Sequence, residues 1–144
     1  METYYLIIGG GLAGGHAAET IRSIDRSGEL MLLTDENHRP YDRVPLSKTY
    51  LKGVLKRDRL YIRRPEHYQQ NNIRLLLCRH VRRIDPHHKR VFLDDGDEIR
   101  YEKLLLATGG RPRRLGIEGA DHKGIFYLRT LEDSEGLRAA MADA

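Results

Sequence analysis

The chain opens on an apolar segment that runs straight into a glycine-rich turn, and this junction constrains the fold more than any other feature. Residues 4–8 have the composition of a buried strand and residues 12–24 that of a helix. Between them, Gly9, Gly11 and Gly14 fit the pattern G-x-G-x-x-G. In a strand–turn–helix unit the first glycine permits a tight turn, the second admits a pyrophosphate to the backbone, and the third lets the helix pack on the strand. The segment therefore predicts a dinucleotide-binding turn, with a glycine-rich turn of some other α/β protein as the alternative.

A second apolar run, and the acidic residues after it, extend this prediction to a βαβ unit. Residues 29–34 include a continuous apolar run, which favours a second buried strand parallel to the first. Asp35 and Glu36 follow directly. A carboxylate at this end of a second strand accepts hydrogen bonds from the ribose hydroxyls of an adenosine and repels a 2′-phosphate. Glu36 lies further from Gly9 than the usual separation of about 20 residues, so an exposed acidic strand end is the alternative.

Size and composition limit the kind of protein. A chain of 144 residues with 40% hydrophobic and 32% charged residues has room for one globular domain, which we assign to residues 1–144. The sequence has no apolar run of membrane-spanning length and no secretory leader, so we predict a cytoplasmic protein without membrane association. Cys78 is the only cysteine, which excludes an internal disulfide and a C-x-x-C redox pair in this sequence.

The charge pattern leaves a nucleic-acid surface as a weaker alternative. Lysine and arginine total 25 against 21 acidic residues, a net charge of +4, and acidic residues interrupt the arginine clusters. Such clusters are typical of a solvated surface, and we predict no nucleic-acid partner. The histidines do not have the spacing of metal ligands, so no metal site is predicted.

The rest of the chain predicts a mixture of strands, turns and short helices. A three-stranded antiparallel meander is predicted from apolar runs separated by turn residues, at residues 81–84, 90–93 and 99–101. Further strands are predicted at residues 60–62, 73–77, 104–107 and 125–128. Helices are predicted at residues 46–51, 65–70 and 131–141, the last capped by Thr130 and Asp133. The predicted fold is therefore an α/β, Rossmann-like domain in which a βαβ unit is combined with an antiparallel β-meander.

Three segments together resemble one family. They are G-G-G-L-A-G at residues 9–14, R-P-Y-D-R-V-P-L-S-K at residues 39–48, and L-L-L-A-T-G-G-R-P-R at residues 104–113. In this order they are similar to the FAD-binding region of ferredoxin-reductase-type flavoproteins, which include rubredoxin and putidaredoxin reductases, apoptosis-inducing factor and the flavin part of the nitrite reductase large subunit. The resemblance covers nearly all of residues 3–142. One departure is Val44, which stands where the family usually has the first of two prolines.

The resemblance implies roles for individual residues around FAD. Pyrophosphate contacts are implied for Gly9, Gly11, Ala13 and Gly14. The adenosine ribose is assigned to Asp35 and Glu36, and the adenine to the backbone of Val81. Residues implied to lie near the flavin ring are Arg43, Pro45 and Lys48, with Lys48 close to the reactive nitrogen. Further contacts along the cofactor are implied for Ala107, Thr108, Gly109 and Arg129.

The resemblance also implies an activity, that of an FAD-dependent NAD(P)H oxidoreductase. Hydride would pass from NAD(P)H to FAD, and electrons then to a ferredoxin, a rubredoxin or a haem or iron–sulfur partner. Family members follow this region with a second glycine-rich unit for NAD(P)H and a returning FAD segment, so we expect the chain to be the N-terminal FAD-binding part of a longer enzyme. We expect NAD(P)H to bind in the full-length enzyme alone, and the isolated chain to lack turnover. A non-catalytic module that binds FAD or NAD is the alternative, and the electron acceptor, the choice of NADH or NADPH and the oligomeric state stay open.

Overall fold

The computed structural model describes residues 1–142. These residues form two compact units. The first unit combines residues 1–41 with residues 61–109, and the second combines residues 42–60 with the residues from 110 onward. Each unit is described by itself below.

The first unit begins with the predicted βαβ arrangement. Strand β1 (Glu2–Ile8) leads into helix α1 (Leu12–Ile24), and strand β2 (Leu30–Leu33) returns parallel to β1. Helix α2 (Pro65–Gln70) begins at a proline, whose fixed φ suits the first helical position. Strand β3 (Ile73–Leu76) then pairs parallel to β2. Both helices and the two later strands lie where the sequence predicts them, to within a residue.

Three further strands complete a single six-stranded sheet. Strands β4 (Val81–Asp85), β5 (Arg90–Leu93) and β6 (Glu98–Leu106) form the predicted antiparallel meander. The predicted separation of residues 99–101 from residues 104–107 is wrong, because β6 is one continuous strand without a turn residue between its halves. Its first half pairs with β5 and it runs parallel to β1. The strand order is therefore β3-β2-β1-β6-β5-β4.

Two apolar clusters cover the two faces of this sheet. Ile7 of β1 packs with Ala18 of α1 and Tyr68 of α2 on one face. Its neighbours Leu6 and Ile8 point to the other face, where they join the apolar residues of β5 and β6. The last three residues of β1 are thus buried on both faces, which is why this end of the strand is a continuous apolar run and does not alternate.

The second unit contains short 3-10 turns and one longer helix. The turns cover Val44–Ser47 and Arg57–Arg59, and helix α3 covers Leu131–Ala142. The predicted capping box at the start of α3 is confirmed. The Thr130 backbone N–H donates to Asp133 Oδ2 at 2.8 Å, and the Asp133 N–H donates to Thr130 Oγ1 at 3.2 Å.

Three predicted elements are wrong, and each error falls on a short run. Residues 60–62 form no strand, since Leu60 closes the 3-10 turn before it and Tyr61 makes a single antiparallel bridge to Tyr41. Residues 125–128 form no strand either, and the Ile125 N–H donates to the His122 carbonyl in the turn before them. The helix predicted at residues 46–51 is replaced by the 3-10 turn and the turns that follow it. Apolar runs of three or four residues do not distinguish a strand from a turn.

Within residues 1–142, every helix is too short or too polar to cross a membrane.

Candidate nucleotide-binding site

The carboxyl ends of three parallel strands meet at one edge of the sheet in the first unit. Ile8 of β1 is paired with Leu33 of β2 and with Leu106 of β6, so these strands end in register. The ends are also hydrogen-bonded, with the Gly9 N–H donating to the Leu33 carbonyl and the Ala107 N–H to the Ile8 carbonyl, both at 2.8 Å. Successive strands run outward from β1 in one direction and β6 lies on its other side, which makes this edge a topological switch point. The edge brings together predicted site residues that follow three separate strands.

The glycine turn fits this edge so closely that two of its glycines have no substitute. Gly9 has a φ of +121°, and a Cβ there would overlap the carbonyl oxygen of Ala107. A Cβ on Gly14 would overlap the carbonyl oxygen of Gly9, so α1 lies directly against the turn. Gly11 is the N-cap of α1 with φ −82° and ψ −170°, which is ordinary extended backbone. Packing therefore requires the first and third glycines of the pattern, whereas Gly11 has no such conformational reason to be glycine.

Two further glycines, which the pattern does not single out, also pack closely, in their case against side chains. A Cβ on Gly10 would lie 2.5 Å from the Cβ of Thr34, at the end of β2. A Cβ on Gly15 would lie 2.8 Å from the Cβ of Pro40, in the segment after β2. In the sequence these contacts are indicated only by two extra glycines, Gly10 within the pattern and Gly15 directly after it. They bring the turn and α1 against two more parts of the same unit.

The first turn of α1 is suited to an anion. It has no acidic residue, and no side chain caps it. Leu12 and Ala13 are exposed, while the Gly11 carbonyl accepts the first helical hydrogen bond from Gly15 at 3.0 Å. The first N–H groups of a helix have no intrahelical acceptor, and the helix dipole adds positive potential at this end. A phosphate at this turn would therefore be stabilised by backbone donors alone.

The two acidic residues after β2 have different environments. Asp35 is exposed, whereas Glu36 is half-buried and its Oε2 accepts a hydrogen bond from the Tyr41 hydroxyl at 2.6 Å. The Glu36 carbonyl also accepts a hydrogen bond from the Cys78 N–H at 3.2 Å. The side chain and the backbone of Glu36 are thus both held at this edge. Sequence reasoning grouped the two acids and did not find Tyr41.

Three of the remaining predicted residues of the first unit follow β6 at the same edge, and Val81 begins a different strand. Ala107 is half-buried, and Thr108 and Gly109 continue from it as exposed backbone, with Gly109 at φ +69°. Val81 begins β4 at the margin of the sheet, and its side chain packs against an apolar cluster. Its segment is nevertheless attached to the end of β2, because the Arg79 N–H donates to the Thr34 carbonyl at 2.9 Å.

The predicted residues of the second unit form their own cluster. The Arg43 guanidinium donates to the Arg129 carbonyl at 3.1 Å, and the buried Ser134 hydroxyl donates to the Leu46 carbonyl at 2.7 Å. Lys48 is exposed and ends the first 3-10 turn, with its N–H donating to the Pro45 carbonyl at 2.9 Å. Helix α3 therefore fixes the loop that carries three of these residues.

Tyr50 strengthens that attachment of the loop to α3. It is buried, and its hydroxyl donates to Glu135 Oε1 at 2.7 Å. Burial, and next the hydrogen bond to Glu135, raise the pKa of Tyr50 to about 12, so the hydroxyl stays protonated at neutral pH.

Comparison with known proteins agrees with the fold and with the motifs. The family model described as pyridine nucleotide-disulphide oxidoreductase matches residues 3–144. The rhodocoxin reductase of Rhodococcus erythropolis is 42% identical over 137 residues, covering 95% of this chain and 32% of the relative. The rubredoxin-NAD(+) reductase of Pseudomonas putida is 38% identical over 139 residues, covering 96% of this chain and 36% of the relative.

Solved structures give the same result. A ferredoxin reductase from Rhodopseudomonas palustris superposes with a TM-score of 0.91 at 38% identity, covering 98% of this chain and 35% of that chain. The predicted resemblance and fold class are confirmed. The chain spans about a third of the length of the relatives it matches. A family match over almost the whole chain, supported by relatives of this identity, shows that the chain belongs to the pyridine nucleotide-disulphide oxidoreductase family.

Proposed function

We propose that the chain binds FAD and forms the FAD-binding part of an NAD(P)H-dependent reductase that passes electrons to a ferredoxin- or rubredoxin-type protein. One observation carries the cofactor assignment. It is the glycine turn at the switch point, where Gly9 and Gly14 leave no space for a side chain and the first turn of α1 contains no acidic residue. The relatives named as rhodocoxin and rubredoxin reductases support the class of electron acceptor.

The turn fits the pyrophosphate of a dinucleotide. Residues that would contact it are Gly9, Gly11, Ala13 and Gly14. Gly11 has a backbone conformation that any residue can adopt, so its conformation alone does not require a glycine there. A side chain at this position would occupy the space that the pyrophosphate needs. Backbone donors and the dipole of α1 would stabilise the phosphate charge.

The ends of β2 and β6 fit the adenosine half. The ribose would be bound by Asp35 and Glu36, which follow β2 at the same edge as the glycine turn. The cofactor would then lie beside the backbone of Ala107, Thr108 and Gly109, and Val81 would contact the adenine through its backbone.

Four residues are proposed to contact the flavin ring. These are Arg43, Pro45, Lys48 and Arg129, and they are proposed from the family resemblance. Their support is that Arg43 is hydrogen-bonded to the Arg129 backbone and that Lys48 carries an exposed ammonium on a loop fixed by α3. When bound, FAD accepts two electrons from a nicotinamide and releases them singly to a partner. A fixed cation such as Lys48 would favour the reduced, more negative form of the ring.

The proposal is tested by titrating the purified chain with FAD and, separately, with NAD, and following flavin fluorescence and protein absorbance. We expect FAD to bind and NAD not to compete at equal concentration. Gly11→Val should abolish FAD binding without unfolding the chain, because its backbone conformation suits any residue. Gly136→Val, at an exposed position in α3 with open space around it, is the matched control and should bind FAD as the parent does.

Two results would contradict the proposal. Unchanged FAD affinity in Gly11→Val would remove the phosphate assignment. Binding of NAD in preference to FAD would instead favour the non-catalytic nucleotide-binding module.

A further inference from the structure

We propose that Tyr41 is a positioning residue for the nucleotide. Its buried hydroxyl fixes the Glu36 carboxylate as the ribose acceptor, and this makes the site select an adenosine with an unmodified 2′-hydroxyl. The inference rests on the proposed function, since it concerns the adenosine half of the same site. Glu36 and Asp35 then have different roles at the ribose. Tyr41 gains a role that the family resemblance does not imply.

The hydroxyl of Tyr41 has little freedom to move. The side chain is 1% exposed, and its ring meets the ring of His38 edge-to-face with the centroids 6.0 Å apart. The ring of Tyr61 meets it at 75° with the centroids 6.4 Å apart, and the backbones of the two tyrosines form a bridge. A buried donor whose ring packs against two other rings restricts where its acceptor can lie.

That acceptor is Oε2 of Glu36, at 2.6 Å. This length is typical of a hydrogen bond from a hydroxyl to an ionised carboxylate, which is about twice as strong as one between neutral groups. A carboxylate has two oxygens with about four acceptor positions, and the hydrogen bond from the tyrosine uses one of them. The rotamer of Glu36 is therefore selected before any nucleotide binds, which lowers the entropy cost of binding.

Fixing the carboxylate also fixes the position of its negative charge. A glutamate that rotates freely can turn away from a 2′-phosphate, whereas one held by Tyr41 must face it at close range, where like charges repel strongly. The Cys78 N–H bonded to the Glu36 carbonyl keeps the backbone from relieving this repulsion. Asp35 is exposed and one carbon shorter, so it does not share this restraint.

The test compares two nucleotides that differ only at the 2′ position. FAD is bound to the full chain and displaced by 5′-AMP or by adenosine 2′,5′-bisphosphate, followed by flavin fluorescence. The variant is Tyr41→Phe, which keeps the packed ring and removes the hydroxyl. The matched control is Tyr61→Phe, which removes the hydroxyl that lies 3.3 Å from His38 Nδ1 in the same aromatic cluster. Far-UV circular dichroism and the thermal midpoint report on the folding of every variant.

We expect the parent chain to bind 5′-AMP more tightly than adenosine 2′,5′-bisphosphate. Tyr41→Phe should lower the affinity for FAD by about 3- to 10-fold, and it should reduce the ratio of the two nucleotide affinities by a similar factor. Tyr61→Phe should leave both quantities as in the parent. Glu36→Gln should narrow the preference as well, and adding Tyr41→Phe to it should narrow it no further, because both changes act through one carboxylate.

The outcomes separate this inference from the proposed function. If the parent chain binds no FAD, the proposed function fails and Tyr41 has no nucleotide to position. If the parent binds FAD and folded Tyr41→Phe keeps its affinity and its 2′ preference, the role of Tyr41 is refuted while the cofactor assignment stands. If Tyr41→Phe lowers the affinity for 5′-AMP and for the bisphosphate equally, so that the preference is unchanged, the role of Tyr41 is also refuted and Tyr41 is a packing residue.

Discussion

Replacing Arg22 by methionine should cost the chain much of its stability, because Arg22 joins three parts of the first unit at the end of the sheet away from the glycine turn. Its side chain is 7% exposed. The guanidinium donates to the carbonyls of Asn71 at 2.7 Å and Asn72 at 2.8 Å, where α2 ends. It also donates to the carbonyls of Gly28 at 2.6 Å and Asp25 at 3.2 Å, beyond the end of α1. A cation here meets the negative end of both helices.

The magnitude follows from these four bonds. A hydrogen bond to a charged group contributes about 1.5–3 kcal/mol, and bonds that share one side chain do not add fully. A cavity of about 470 Å³ beside Arg22 opens to solvent and would let water reach some of the released carbonyls. We therefore expect Arg22→Met to lower the free energy of unfolding by about 3 kcal/mol, a large part of the roughly 5–15 kcal/mol typical of a domain. Methionine keeps most of the apolar packing, so the loss measures the hydrogen bonds.

Urea unfolding followed by circular dichroism measures this difference. With a slope of about 2 kcal/mol per molar urea, the midpoint should fall by about 1.5 M. Arg26→Met is the control, since Arg26 lines the same cavity but is exposed, and its free energy of unfolding should stay within about 0.5 kcal/mol of the parent value. A loss below about 1 kcal/mol in Arg22→Met, or an equal loss in Arg26→Met, would refute the assignment of Arg22 as the link between the helix ends.

Three other predictions follow from local features. Hydrogen bonds from the Gly28 N–H and then from the Ser27 side chain hold the pKa of Asp25 well below its usual range. The ionised carboxylate therefore contributes its full stability above about pH 4, and this contribution is lost as the pH falls through the lowered folded pKa. Below pH 4, Asp25→Asn should lose stability less steeply with falling pH than the parent does, and equal slopes would contradict this. Gly9→Ala should destabilise the chain by about 2–4 kcal/mol in urea unfolding, because the new Cβ would overlap Ala107 and because Gly9 has a positive φ. Gly136→Ala in α3 should instead stabilise the chain by about 0.5–1 kcal/mol. The reverse order would be inconsistent with the geometry of the turn. Lys48→Met, in a chain extended to include the rest of the FAD domain, should lower the flavin potential by roughly 20–65 mV, equivalent to about 1–3 kcal/mol. A potential within error of the parent would leave Lys48 as surface charge.

The sequence predicted the elements whose signals are local. Helix α1 follows from a glycine start and a helix-compatible composition, and the capping box before α3 from Thr130 and Asp133 alone. These signals act over a few residues, so tertiary contacts do not change them. Strand β6 shows the opposite case, since its continuity depends on pairing with β5 and with β1 at the same time. No window of its own sequence contains that information.

The candidate site divides in the same way. The glycine turn could be predicted because the glycine spacing of a strand–turn–helix unit is a signal that lies within a few residues of sequence. The hydrogen bonds of Arg22 to Asn71 and Asn72 join residues 49 and 50 positions apart. The sequence around an arginine in the last turn of a helix does not indicate such distant partners. The environments that separate Glu36 from Asp35 are set by Tyr41 and Cys78, which only the folded unit brings to the end of β2.

The segment after β2 shows how packing and recognition come to share residues. Pro40 lies against Gly15 in α1, where no Cβ would fit, and Tyr41, the next residue, donates to Glu36. The close approach that Gly15 permits thus places the segment next to the helix whose start would bind phosphate, and the tyrosine hydroxyl places the carboxylate that would bind ribose. A side chain at Gly15 should therefore disturb both halves of the nucleotide site together. By contrast, Tyr41→Phe leaves Pro40 in contact with α1 and should disturb the ribose side alone, since it removes a hydroxyl and no packed atom of the ring.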